Sequence, residues 1–352
     1  MGGASGGFIR RLWQTTKRCR WLFGPIIVPL PSRHSIPCIL KIATFAIDWA
    51  KWRASRLNKR QPAPIIAPVD FPKTTLVGMG LLGGSVGLAI KAHGVSGHVC
   101  GLVRREESIA ECLNVGAVDE ATLDPQAALA DATLVILCTP VGQMADMTRQ
   151  LKPHLSPGTI LTDVGSVKAD VVATVEPIWP RFVGSHPLAG SEKTGVTNAR
   201  ADLLEGALCA VTPTEQSDPA VVEAVEKFWQ SLGSRTLRLS PEAHDSVVAR
   251  TSHLPHVLAT ALVRTVLGGA KNGEPDFCAT GFRDTTRLAD GSATMWRDIA
   301  LANPDAIADA VADLQAELDG LRNALDQKDA AALEEFFAEG QSLRGEWMRR
   351  RD

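Results

Sequence analysis

The chain has 352 residues, 45% of them hydrophobic and 22% charged, which is long enough for two domains and ordinary for a globular protein. Of its 37 Lys+Arg and 39 Asp+Glu, residues 1–70 hold 12 and 2, which leaves the remainder with 25 basic and 37 acidic residues. So acidic a body excludes nucleic acid as the expected partner, because duplex binding needs a basic face.

Residues 1–71 differ in texture from the rest of the chain and read as a basic, poorly ordered extension. They hold Trp13, Trp21, Trp49 and Trp52 and leave through the Pro-rich stretch Gln61–Pro68. The apolar runs Leu22–Leu30 and Ile36–Ala50 are broken by Pro25, Pro29, Pro37, Lys41 and Asp48, so neither supplies the ~20 uninterrupted apolar residues of a spanning helix. Three readings compete: a basic segment touching a membrane, a targeting peptide, or translated sequence upstream of the true start. A dispensable extension is the expectation, with no membrane contact by residues 1–60.

Residues 72–239 alternate β and α signals. Thr74–Gly78 is a short apolar strand, Leu82–Ala92 a helix, His98–Val103 a second strand and Glu106–Val115 a second helix. Ala132–Thr139 is a fully apolar, buried parallel strand, followed by helix Gln143–Leu151 and strands Thr159–Asp163 and Arg181–Ser185. Gly206–Thr212 and Arg235–Leu239 flank the helix Ala220–Leu232. Strands spaced by helices at this interval predict an α/β, Rossmann-type, doubly wound parallel sheet. Residues 240–352 then turn helical, over Pro241–Leu267, Asp284–Leu288, Thr294–Ala302, Pro304–Leu325 and Ala330–Arg350. Ser240 followed by Pro241 is a good helix start. The long amphipathic C-terminal helices predict an all-α dimerisation domain and a homodimer.

The cysteines (Cys19, Cys38, Cys100, Cys112, Cys138, Cys209, Cys278) are dispersed, with no Cys-x-x-Cys. They read as reduced thiols of a cytoplasmic protein, and neither a disulfide framework nor a metal site is expected.

Gly78-Met79-Gly80-Leu81-Leu82-Gly83 is a G-x-G-x-x-G directly after a strand and opening a helix. Gly78 permits the turn, Gly80 admits a pyrophosphate to the backbone, and Gly83 lets helix and strand pack closely. The helix start at Leu81 and Leu82 supplies free N–H groups, and Thr139 and Pro140 end the buried strand at the same edge. An acid that binds the ribose hydroxyl of NAD normally lies about 20 residues on. Val103 stands there, followed by Arg104 and Arg105, whose guanidiniums suit a 2′-phosphate, so NADP is expected. Glu106 next to them keeps NAD possible.

Ser166, in Thr162–Lys168, and His186, in Gly184–Glu192, each follow a strand and so lie at the carboxyl edge where ligands bind in such folds. Ser252-His253-Leu254-Pro255-His256 sets two histidines at i and i+3, Gly281–Arg287 sets Arg283 and Arg287 at i and i+4, and Trp296 comes after them in Met295–Asp298.

In order and spacing these motifs resemble the prephenate/arogenate dehydrogenase family, from about Thr74 to Asp298 and more loosely beyond. The resemblance implies oxidative decarboxylation of a cyclohexadiene, prephenate or arogenate, in tyrosine biosynthesis. It implies His186 as acceptor of the hydroxyl proton, Ser166 as the residue orienting hydroxyl and nicotinamide, and Arg287 as the partner of a substrate carboxylate, with Arg283 as the alternative cation. His253, His256 and Trp296 would complete the pocket, one histidine acting and the other capping or packing. Glu192 would gate or hydrogen-bond near His186. A β-hydroxyacid dehydrogenase is the rival within enzymes, but it needs a lysine on the first helix of the second domain, and Pro241–Leu267 has none. A non-catalytic, nicotinamide-sensing dimer is the rival outside them.

Overall fold

The structure is a computed structural model that describes residues 71–350 except Glu192 and residues 270–272. The basic extension up to Asp70 and the candidate Glu192 lie outside the described residues.

Within residues 71–239 the order is β1 (Thr74–Val77), α1 (Leu81–His93), β2 (Val99–Leu102), α2 (Glu106–Val115), β3 (Glu120–Thr122), α3 (Pro125–Leu129) and β4 (Leu134–Leu137). Next come α4 (Met144–Leu151), β5 (Ile160–Asp163), α5 (Ala169–Val175), β6 (Phe182–Pro187), β7 (Leu208–Thr212), α6 (Pro219–Ser231) and β8 (Arg235–Arg238). Local chemistry sets the ends. α1 and α2 stop on Gly94 and Gly116, both in left-handed backbone. α6 opens on Asp218, whose side chain accepts from the Ala220 N–H, with Pro219 in the first turn.

The strands form one eight-stranded sheet in the order β3-β2-β1-β4-β5-β6-β7-β8. All neighbours are parallel except β6 and β7, which run antiparallel. The doubly wound parallel sheet expected from the sequence is present, and this one pair departs from it. No α-helix separates β6 from β7, only loop and short 3₁₀ turns, so the crossover a parallel return needs is missing. The edge strand β3 escapes the sequence pattern because it is three residues long and partly exposed. Alternation of side chains divides the core in two. Leu76, Leu134 and Ile136 face α1 and α6, whereas Val77, Val135 and Leu137 face α4 and α5.

Beyond β8 come α7 (Pro241–Val248), α8 (Leu254–Leu267), α9 (Thr280–Thr286), α10 (Ala293–Ala302), α11 (Pro304–Gln327) and α12 (Ala330–Arg349). The helix expected over Pro241–Leu267 is interrupted by a π turn at Ala249–His253. Pro255, which cannot donate to the helical ladder, lies directly downstream of it. None of the helices of the described residues is long and apolar enough to cross a membrane.

Candidate active site

The segments that follow β4, β5 and β6 meet the helical region, and β1 ends beside β4 on the same sheet edge, which gathers most of the candidate residues. At β1 the glycine turn is shaped by two constraints and one open space. Gly78 has φ +94, a conformation that disfavours any side chain. A Cβ on Gly83 would lie 2.2 Å from the Gly78 carbonyl oxygen, so only glycine lets α1 approach β1 this closely. Above Gly80 nothing lies within 4 Å of where a Cβ would stand. No side chain caps α1, so the N–H groups of its first turn, at Leu81 and Leu82, are open to an anion.

Thr139 stands beside Gly78, and its buried hydroxyl has no hydrogen-bond partner. Pro140 next to it is exposed. At the end of β2, Val103 is buried with its N–H on the Thr122 carbonyl, and Arg104 and Arg105 are exposed. Open helix start, room above Gly80, an orphaned hydroxyl and two guanidiniums together fit a dinucleotide.

The chemical centre is built on β6. His186 Nδ1 lies 2.9 Å from His244 Nε2, and His244 Nδ1 lies 2.7 Å from the Asp245 carboxylate. Asp245 also takes the backbone N–H of Lys168 at 2.7 Å and of Ala169 at 2.8 Å. The first helix of the helical region is thereby fastened to the loop that carries Ser166, a half-buried residue two positions before Lys168.

Beneath them Lys168 and Asp163 form an ion pair, both side chains fully buried. Asp163 also accepts from the N–H of Gly165 at 2.8 Å and of Ser185 at 2.9 Å, and Lys168 Nζ donates to the Ser185 carbonyl at 3.0 Å. The Ser185 hydroxyl takes the Trp229 indole N–H at 2.9 Å, which joins this polar floor to α6.

Electrostatics follow from burial. Burial pushes His186 well below the ordinary imidazole range, and His244, Lys168 and His253 reinforce the shift. His244 is lowered by burial too, against the opposing pull of its Asp245 hydrogen bond. His253 is pushed down to about 4, chiefly by burial, and burial also lowers His256. These imidazoles are therefore neutral bases near pH 7 and not standing cations.

The helical region contributes an aromatic wall. His256 stacks on Trp296 with ring centroids 3.5 Å apart, and His253 meets the same indole edge-on at 6.0 Å. Gly291 admits this stack, since a Cβ there would fall 2.7 Å from both His256 Cε1 and Trp296 Nε1. His253 is buried, with Nδ1 3.4 Å from the Asn303 amide and Nε2 unpartnered. The same amide donates to the Asp245 carbonyl at 3.0 Å, so the wall and the imidazole pair share a support.

Arg283 and Arg287 are placed differently. α9 ends at Thr286, and Arg287 opens a 3₁₀ turn that packs against α8. Both guanidiniums are exposed, and Arg283 pairs with its neighbour Asp284 at 3.5 Å. No described contact joins Arg283 to the histidines.

His244, Asp245 and Lys168 do not stand out in the sequence, yet the fold brings them to the centre. The available signal for the first two is a His-Asp pair one turn into the helix that opens on Ser240-Pro241. Lys168 gives none, because a lysine after a Gly-Ser turn reads as surface.

Two family models match the chain: the nucleotide-binding domain of prephenate dehydrogenase over residues 86–238, and its dimerization domain over residues 240–339. The prephenate dehydrogenase of Bacillus subtilis is 36% identical over 276 residues, spanning 76% of this chain and 74% of the relative. The cyclohexadienyl dehydrogenase of Zymomonas mobilis is 35% identical over 282 residues, spanning 78% and 95%. Among solved structures, prephenate dehydrogenase from Aquifex aeolicus in complex with hydroxyphenyl propionate and NAD+ is similar at a TM-score of 0.75 and 32% identity, over 78% of this chain and 97% of that one. The arogenate dehydrogenase of Synechocystis is similar at a TM-score of 0.68 and 30% identity, over 78% and 99%. With both domain models matched and such relatives aligned over most of their length, the chain belongs to the prephenate dehydrogenase family of nicotinamide-dependent oxidoreductases.

Proposed function

We propose that this chain oxidatively decarboxylates prephenate or arogenate to 4-hydroxyphenylpyruvate or tyrosine, with NADP as the preferred acceptor. One observation supports the chemistry above the others: a half-buried imidazole, His186, backed by His244 and Asp245, at the sheet edge that carries the open glycine turn. The bound nicotinamide supplies the acceptor for the hydride that leaves the ring carbon bearing the hydroxyl. His186 takes the hydroxyl proton on Nε2, the nitrogen that His244 does not engage, and Ser166 orients that hydroxyl. The ring carbon opposite then releases CO2, and aromatisation drives the step. A positioned neutral base of this kind contributes typically ~10²–10⁴-fold.

Arg287, with Arg283 as the alternative, binds a substrate carboxylate, since a guanidinium offers a two-pronged, permanently charged grip. His253, His256 and Trp296 wall the ring. The glycine turn, Leu81, Leu82, Thr139 and Pro140 hold the dinucleotide. The reading of NADP is supported by Arg104 and Arg105, exposed where an NAD site would carry an acid.

Residues 72–239 act as the dinucleotide domain and 240–352 as the substrate and dimerisation domain. Leu318, Leu325, Phe337, Leu343 and Trp347 are exposed on α11 and α12, a face that a second copy would cover in a homodimer. The buried thiols of Cys100, Cys112 and Cys209 support a reducing, cytoplasmic setting.

A steady-state assay of the full chain tests this, with prephenate and arogenate each paired with NAD and NADP. Reduced-cofactor absorbance on either substrate, with the higher kcat/KM for NADP, is the expected outcome. Silence in all four pairings, with the cofactor still bound, would leave the nicotinamide-sensing dimer as the better reading.

A further inference from the structure

Resting on the proposed role of His186, we infer that Asp245 and His244 are positioning residues that set its tautomer, fixing the proton on Nδ1 and presenting Nε2 as a bare lone pair to the substrate hydroxyl. The direction of the relay is set by the donors. Both oxygens of Asp245 already accept backbone N–H groups, from Lys168 at 2.7 Å and Ala169 at 2.8 Å. A carboxylate held in this way can only accept, so the His244 Nδ1 that approaches it at 2.7 Å carries a proton.

A neutral imidazole has one N–H, which leaves His244 Nε2 as an acceptor. The ring nitrogen facing it at 2.9 Å, His186 Nδ1, must then donate. The opposite direction would require a doubly protonated His244. That ring is buried, and the Lys168 cation beside it opposes a second positive charge.

The arrangement therefore prepares the base before substrate arrives. The ring of an unconstrained histidine side chain favours the proton on Nε2, the nitrogen that has to be bare here, and the relay reverses that preference. When His186 takes the hydroxyl proton, its Nδ1–H still faces the His244 lone pair and, through it, the Asp245 carboxylate. The new positive charge is thus compensated on the side away from the reacting ring. The same carboxylate fixes the loop of Ser166, so one residue of the helical region holds both polar groups of the sheet edge in place.

The test is a ¹H–¹⁵N long-range correlation spectrum of the full-length protein labelled on its histidines near neutral pH, with His186 assigned by its loss in His186→Asn. The expected spectrum shows His186 and His244 both protonated on Nδ1 and bare on Nε2. His244→Phe, which removes the acceptor, should shift His186 toward the Nε2–H form and lower kcat by roughly 10–10²-fold, part of what a positioned base contributes. KM for substrate and Kd for cofactor should stay within about twofold, because no binding contact is lost.

His244→Gln keeps an acceptor in reach and should restore the Nδ1–H signature together with part of kcat, which separates the relay from simple packing. A wild-type His186 protonated on Nε2 would overturn the relay, and so would a tautomer and kcat unchanged in His244→Phe. Should neither substrate be turned over while the Nδ1–H pattern is present, the reaction falls and the relay stands.

Discussion

The sheet region and the helical region of this chain are stabilised in opposite ways. In the first, buried side chains fill both faces of the sheet, and even its charges, Asp163 and Lys168, are fully enclosed. In the second, the buried aliphatic side chains among the described residues are Val248, Ala249, Ala259, Ile299 and Ala310, while Leu301, Leu325, Phe337 and Leu343 are more than half exposed. The helical region matches a dimerization domain, and its exposed apolar side chains fit one half of the proposed interface. The proposed site lies where the two meet, and it inherits both characters: the half-buried His186 on one side and exposed arginines on the other.

The largest expected effect comes from breaking the enclosed side. Lys168→Met strands the Asp163 carboxylate without its cation and should cost about 3–5 kcal/mol in a urea unfolding experiment. A loss under about 1 kcal/mol would mean that the backbone donors of Gly165 and Ser185 suffice for that charge. Next, His186→Asn should lower kcat by about 10²-fold or more and leave cofactor affinity intact. Near-normal turnover would remove His186 as the base.

Turning to the exposed side, Phe337→Asp should convert dimer to monomer in sedimentation at micromolar concentration, an interface cost of about 2 kcal/mol or more. If Phe337 faces only water in the assembled protein, the variant will sediment like the wild type. Replacing Arg104 and Arg105 together by alanine should raise KM for NADP about tenfold, near 1.5 kcal/mol for a charge-assisted contact, and leave KM for NAD unchanged. Equal losses for both cofactors would cancel the 2′-phosphate reading.

The most graded effect is on acid stability. His253 is held at about 4, and His186, His244 and His256 also sit below the usual imidazole value of 6.5, so the unfolded chain binds more protons as pH falls from 6.5 toward 4. Stability should rise with pH through that window and be lost on descending it, read as Tm at successive pH values. A Tm flat across it would contradict the burial of these rings.

Much of this architecture is legible in the sequence, for physical reasons that differ by residue. Apolar runs such as Ala132–Thr139 announce a central strand because both faces of the sheet are covered. The glycines of the β1–α1 turn and the histidines of Ser252–His256 are readable because local geometry constrains contiguous residues. His244 is not readable in the same way, because its partner lies 58 positions away on β6 and only the tertiary fold brings them together. Lys168 escapes notice because its burial depends on Asp163, a carboxylate that a sequence presents as one more polar residue at a strand end. The antiparallel junction of β6 and β7 is hidden because strand spacing carries length but not direction. Arg283 and Arg287 read as neighbours on one helix, whereas the helix stops between them.

The placement of Arg104 and Arg105 has a consequence for how such an enzyme changes over generations. Both stand in solvent at the end of a strand whose core contacts are made by Val99, Cys100, Leu102 and Val103. Exchanges at such surface positions usually alter stability by no more than about 0.5 kcal/mol. On the proposed reading, in which these guanidiniums meet a 2′-phosphate, coenzyme preference is an evolvable trait, open to revision in one or two steps without disturbing the histidine relay. The reverse does not hold, since every partner of His186 is locked into the sheet edge or its fastening helix. A lineage under selection for a different redox pool can drift at the rim while its chemistry stays fixed at the centre.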